Sequence, residues 1–370
     1  MFNSAAATAV SLFCVGAVFG QSPAPSSAPT SSSPTLAKSA APLPSATPTT
    51  DQIINSLGEA DLQAAVSLLK ANFTSPDAVT DTELNRATLT GLLVRMPGGL
   101  MLLPSREAGA AEPSSPFYSE VFESHIGYLR LGELNSGNLK ELDRKLQEFG
   151  QKKIDGLIID LRASNARDFA SAADFAKRFC PKGKALFSVG KPSARQARQF
   201  TSDRDPVFQG LIVVLTDADT SGGAEALAAV LKLYNRALIV GQPTAGRAVE
   251  YSDQSLPSGK VLRVASGEAV LPDGQSLFPG GVKPDLPVEM PAIEKRQIFQ
   301  QSAERGMAPF VYETERPHLN EAALIAGTNP ELDIADAQRR LRSRPSQPPR
   351  DTVLQRALDV VTSLEIYQKH

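Results

Sequence analysis

One stretch constrains the fold more than any other, GLIVVLTDADTSGGAEALAAVLKLYNRALIVGQPTAGR at 210–247. Residues 211–215 are a continuous apolar, β-branched run, the pattern of a strand buried on both faces. Residues 217–223 are small and polar, as in a sharp turn. Residues 224–234 then show helical spacing, with Leu227, Val230, Leu231 and Tyr234 on one face. A second buried run follows at 237–240. Two parallel strands joined by one helix require a right-handed crossover. In such sheets ligands meet the C-terminal ends of strands, beside helix N-termini. The turn Thr220-Ser221-Gly222-Gly223 is therefore the expected place for chemistry.

Around this unit the sequence predicts strands at 126–131, 154–161 and 185–189. Further strands are expected at 249–255, 261–265 and 269–271, the last two separated by a turn at Ser266-Gly267. Helices are expected over 138–149, with Leu139, Leu142, Leu146 and Phe149 inward, and over 169–179. Residues 191–206 read as a polar loop, with a short helix as the alternative. Upstream, 51–104 reads as helical: Ile54, Leu57, Leu62, Val66 and Leu69 recur at helical spacing, and 82–93 is a second amphipathic piece. Residues 351–367 form a further helical pattern, with Asp351 placed to cap it. The segment 21–50 is rich in Ser, Pro, Ala and Thr, lacks apolar periodicity, and reads as a disordered linker. The first 20 residues read as a secretory signal peptide, their apolar run shorter than the roughly 20 residues of a spanning helix. An uncleaved membrane anchor is the alternative.

Several motifs fall in one order. They are Ile126-Gly127-Tyr128-Leu129-Arg130-Leu131, Glu225 in the first turn of the central helix, and the Asn235 to Gly241 strand. Pro243-Thr244-Ala245-Gly246, Leu271-Pro272-Asp273-Gly274 and Gly281-Val282-Lys283-Pro284-Asp285 follow. Over about 127–288 the chain resembles the C-terminal processing (tail-specific) serine proteases. The resemblance implies a Clp protease/crotonase-like α/β domain with right-handed parallel βαβ crossovers. It also places the family nucleophile at Gly222 and the family base lysine at Arg247. The family's oxyanion loop is glycine-rich, whereas this chain has Ala166 and Arg167 there. Family members carry a peptide-binding PDZ domain after the helical preface. The short polar loop at 105–116 leaves no length for one.

The implied organisation is a signal peptide at 1–20, a linker at 21–50 and a helical N-terminal region at 51–117. A tail-specific protease-like domain at 118–290 and a C-terminal helical region at 291–370 complete it. Serine/lysine peptidase chemistry needs a hydroxyl nucleophile, a neutral amine to take its proton, and amides for the oxyanion. Gly222 has no side chain, and arginine keeps its proton at any physiological pH. The first reading is an exported pseudo-peptidase that binds polypeptides or protein C-termini in the periplasm, outside the cell or in the envelope of a bacterium. An active serine endopeptidase using Ser221 or another displaced hydroxyl is the alternative, and a purely structural envelope protein the third. Ser221 has two roles open, helix cap or displaced nucleophile. Arg247 likewise has two: pairing with Glu250 or Asp160, or holding a peptide carboxylate. Glu225 reads as structural. His125, His318 and His370 lack an aspartate at recognisable spacing.

Lys plus Arg number 38 against 40 Asp plus Glu, a net charge of -2, so no basic excess points to nucleic acid. Three histidines, and one cysteine (Cys180) outside the leader, argue against a structural zinc site. No cofactor is expected, and no stable membrane insertion once the leader is removed.

Overall fold

A computed structural model describes residues 49–104, 116–191, 197–312 and 349–368. The signal-peptide segment, almost all of the linker, His318 and His370 lie outside the described residues. The chain divides into two units, Met1–Thr74 and Ser75–His370. In the first, α1 (Thr50–Ser56) starts at a capping box: the Thr49 hydroxyl accepts from the Gln52 amide, and the Gln52 side chain accepts from the Thr49 amide. Helix α2 (Glu59–Asn72) follows. Its apolar positions Leu62, Val66 and Leu69 recur every third or fourth residue and are exposed.

The second unit opens with α3 (Asp81–Arg95), capped by Thr80. Residues 100–103, within the stretch expected to be helical, form instead the strand β1 (Leu100–Leu103), paired antiparallel with residues 261–264. The interval between this strand and β2 (Tyr118–Phe122) is too short for an independent domain.

The core is built on a six-stranded mixed sheet. Its remaining strands are β3 (Ile126–Arg130), β4 (Gly156–Asp160), β8 (Leu211–Thr216), β10 (Leu238–Gly241) and β13 (Leu286–Pro287). The order is β13-β10-β8-β4-β3-β2, parallel throughout except for the antiparallel β2–β3 edge. Successive strand residues point to opposite faces, and both faces are covered. Leu129, Leu157, Ile159, Ile212, Val214 and Ile239 pack under α4 (Ser136–Gln151), α5 (Phe169–Ala176) and α6 (Gly223–Leu233). Tyr128, Ile158, Val213, Leu215 and Val240 meet α7 (Ala292–Arg305) and α8 (Thr352–Gln368) on the other side. The continuous apolar runs in the sequence thus have a physical cause, because the inner strands are buried on both faces.

A second, antiparallel sheet lies beyond the strand ends. It contains β1, β6 (Ala185–Gly190), β7 (Arg198–Thr201), β11 (Val249–Ser255) and β12 (Val261–Val270). Two expectations are corrected in it. β12 continues through Ser266-Gly267 as one strand, with Ser266 as the extra residue of a bulge: Glu250 pairs with Gly267 and Tyr251 with Ala265. Part of the expected 191–206 loop is β7, paired with β6. Finally, β5 (Asn165–Ala166) and β9 (Ser221–Gly222) form a two-residue parallel pair at the carboxyl ends of β4 and β8.

Candidate active-site cleft

The loops after β4 and β8 are clasped together by Asp217. Its Oδ1 accepts from the amides of Ala163, Asp219 and Thr220, and Lys295 of α7 pairs with its other oxygen and with Asp219. Thr220, fully buried, donates its hydroxyl to the Leu161 carbonyl (2.9 Å) and accepts from the Asp217 amide (3.0 Å). The Ser221 amide donates to the Ser164 carbonyl (3.0 Å). The turn predicted at 217–223 is thereby pinned to the 163–166 loop, and this is the junction that forms β5–β9.

At that junction Gly222 has φ 64° and ψ −129°, a conformation side chains rarely adopt. A Cβ built on it would stand 2.2 Å from the Ala166 carbonyl oxygen. The position to which the nucleophile would map has no side chain, and backbone occupies the space for one. Its amide donates to Glu225 (3.2 Å).

Glu225, fully buried, collects three more donors: the Thr244 hydroxyl (2.6 Å) and the amides of Gly246 (2.8 Å) and Arg247 (2.7 Å). It ties the 244–247 loop to the first turn of α6, the structural role expected of it. Burial pushes its carboxyl above the usual range, with these four hydrogen bonds opposing.

Ser221 is a correction. The N-cap residue of α6 is Gly222, not Ser221, and the Ser221 hydroxyl, 3% exposed, has no hydrogen-bond partner among the described residues. Ser164 Oγ, also buried, is in the same condition. The β5–β9 pairing puts Ser221 in a strand rather than at the helix start.

Arg247 is corrected too. Glu250 pairs with Arg198, and Asp160 with Arg162, so neither expected partner is available. The half-buried Arg247 guanidinium makes no ion pair or hydrogen bond among the described residues. Its stem lies against the Gly98 backbone, where a Cβ would be 3.0 Å from Arg247 Cγ; glycine at 98 is what admits it. Ser221, Gly222, Ala166, Arg167 and Arg247 line one cavity of about 300 Å³. Met101, Leu103, Val249 and Tyr251 supply its apolar wall, and Glu250, Asp253 and Arg263 its charged rim. Arg263 holds Asp253 through two bonds of 2.7 and 2.8 Å. The part of the wall that comes from β1 left no signal in the sequence, because its strand pairing was not legible there. His125 lies beside the β2–β3 turn, its Nδ1 2.5 Å from the Glu123 carbonyl, and is not among the cavity residues.

Behind the cleft, Asp160 and Arg162 at the end of β4 engage α8. Arg162 binds Asp160 through Nη2 (2.6 Å) and Asp351 through both Nη atoms (2.8 Å each), all of them buried. Asp351 also caps α8, accepting from the Leu354 amide (2.9 Å), as its position in the sequence suggested. Among the described residues, no cluster of His, Cys, Asp or Glu could hold a metal ion, and no helix is long and apolar enough to cross a membrane.

The mixed sheet covered on both faces, with a strand–turn–helix at its carboxyl edge and a second sheet beyond, defines a Clp protease/crotonase-like α/β domain. Residues 125–288 match the sequence model of peptidase family S41. They constitute an S41 domain, related to the carboxyl-terminal-processing proteases. The carboxyl-terminal-processing protease of Synechocystis sp. is 27% identical over 188 residues, covering 50% of this chain and 44% of the relative. A probable CtpA-like serine protease of Staphylococcus aureus is 27% identical over 165 residues, covering 44% and 33%. The chain thus spans less than half the length of these relatives. Among solved structures, the photosystem II D1 C-terminal processing protease aligns with a TM-score of 0.41 at 23% identity, covering 49% of each chain. A lipoprotein from Streptococcus agalactiae aligns at 0.43 and 16%, covering 66% of this chain and 90% of that one.

Proposed function

We propose that this chain is an exported, non-catalytic S41 protein, a pseudo-peptidase that binds polypeptides in its cleft without cleaving them. The observation that carries this reading is the backbone at Gly222, which has no hydroxyl and has the Ala166 carbonyl in the way of one. Two further features agree. Arg247 stands at the position of the base and cannot release its proton at neutral pH. The Gly222 amide is committed to Glu225 rather than open to an oxyanion. The leader-like first 20 residues support export to the periplasm or envelope.

The test is to incubate the purified chain with an unfolded protein and with fluorescent peptides, following fragments by mass spectrometry and binding by anisotropy. Saturable binding with intact peptide is expected. Fragments that persist through repurification and vanish in Ser221→Ala would establish the active-peptidase alternative. The absence of both binding and cleavage would leave a structural role.

A further inference from the structure

The cleft holds two polar groups whose bonding capacity no described residue uses. The Arg247 guanidinium is half-buried and makes no bond among the described residues. Ser221, 3% exposed, lines the same cavity, and its buried hydroxyl has no partner among them. A buried hydroxyl left unpaired costs about 1–3 kcal/mol, so its retention at the wall of a 300 Å³ cavity points to a ligand that satisfies it. The charges narrow the chemistry. The acidic cavity residues are engaged, Glu250 by Arg198 and Asp253 by Arg263. Arg247 is left to meet an anion. Its planar fork matches a two-oxygen group. Glu225 lies directly behind the Arg247 amide, and a dianion would be repelled by it. Met101, Leu103 and Val249 offer the apolar wall that the remainder of a small organic anion requires.

We infer that Arg247 and Ser221 form a carboxylate-binding site, Arg247 taking the two oxygens and Ser221 donating to one of them. The carboxylate can come from the end of a polypeptide or from a small organic acid. The first source rests on the binding function proposed above, and the second does not.

Calorimetric titration of the full chain with four probes tests this. They are a hexapeptide ending in a free Leu carboxylate, its C-terminal amide, N-acetyl-leucine and N-acetyl-leucine amide. Each acid is expected to bind about 10- to 100-fold more tightly than its amide, the range for a hydrogen-bonded charged pair. Arg247→Ala erases that difference and Arg247→Lys retains part of it, since lysine keeps the charge without the fork. Ser221→Ala weakens the acids by roughly 3- to 10-fold, and the exposed control Arg144→Ala changes nothing. Preference for the hexapeptide over N-acetyl-leucine identifies chain ends as the source; equal affinity identifies small acids. Equal binding of acid and amide overturns the carboxylate site while leaving polypeptide binding intact. So does discrimination that survives Arg247→Ala in a variant melting like the parent. N-acetyl-leucine binding without peptide binding keeps the site and overturns the polypeptide reading, whereas silence from all four probes overturns both.

Discussion

Restoring the missing dyad is the sharpest challenge to a non-catalytic cleft. In a chain that had lost only two side chains, Gly222→Ser with Arg247→Lys would return activity. The geometry predicts otherwise. A Cβ at 222 would stand 2.2 Å from the Ala166 oxygen, against the roughly 3.5 Å at which non-bonded heavy atoms begin to attract. The obstacle is backbone, so rotamer adjustment cannot relieve it, and the 163–166 loop must leave β9. Holding an L-residue in this backbone conformation costs about 1–3 kcal/mol. Separating β5 from β9 loses about 1 kcal/mol for each hydrogen bond. Gly222→Ser is therefore expected to destabilise the protein by about 3–5 kcal/mol, lowering the melting temperature by on the order of 10 °C. Gly259→Ser isolates the conformational part, since Gly259 has φ +77° with no atom within 4 Å of a built Cβ; it should cost only about 1–2 kcal/mol. Thermal melts followed by circular dichroism compare the two, and a casein digest with a serine-directed covalent probe measures activity. If the double variant melts like the parent, or cleaves casein and takes the label at position 222, the steric argument is wrong.

Three other outcomes follow from the same structure. Asp351→Ala removes one carboxylate from the buried Asp160–Arg162–Asp351 network together with the cap of α8, and should cost about 3–5 kcal/mol in urea unfolding; a loss under about 1 kcal/mol would deny the network its part in seating α8. Stability should fall on acidification below about pH 4. Burial raises the pKa of Asp160, but the charge and hydrogen bonds of Arg162 outweigh it and hold the carboxyl below its usual range. That contribution is complete above the unfolded value of about 3.9 and is lost as pH falls through the folded one. Asp143, held low by its hydrogen bonds to Arg178, acts in the same sense, so Asp143→Asn should shallow the acid slope; an unchanged slope would remove it from the account. Glu225, raised by burial, acts oppositely, its contribution present below about pH 4.3 and lost as pH rises through the folded value. Lys295→Met should destabilise by about 1–3 kcal/mol, because it leaves the largely buried Asp217 without its cation, and proteolysis should reach the 217–223 turn sooner than in the parent.

The inner strands β3, β4, β8 and β10 were legible because they are buried on both faces, a demand that shows directly in runs such as 211–215 and 156–161; the edge strands β2 and β13 are only partly buried and left no such run. The second sheet was less so. β1 is four residues long and apolar at every position, so its local sequence carries no alternation to mark it; only its pairing with β12 makes it a strand. The continuity of β12 through Ser266-Gly267 was hidden for a related reason. A Ser-Gly pair usually marks a turn, but here Gly267 passes close to the Gly190 backbone, and the smallest side chain is required by packing. Asp351 could be recognised as a cap, whereas its pairing with Arg162 spans 189 residues of sequence and leaves no local trace.

At the cleft, the sequence singled out three positions but not their connection. Gly222, Ala166 and Arg247 read as three separate departures from a peptidase. In space the first two are one event, since Ala166 and Gly222 are register partners in β5–β9, and the carbonyl that blocks a side chain at 222 belongs to the residue standing where the family has glycine. The third is bound to them through Glu225, which accepts from the amides of both Gly222 and Arg247. A single reversion therefore meets resistance from the other two positions. The same coupling argues against Ser221 taking over. The pairing that closes the site at 222 also buries the Ser221 hydroxyl in the cavity wall, among the described residues without a base to accept its proton. What remains in the cleft is a half-buried cation and a buried hydroxyl with no partner among the described residues, groups suited to holding an anion.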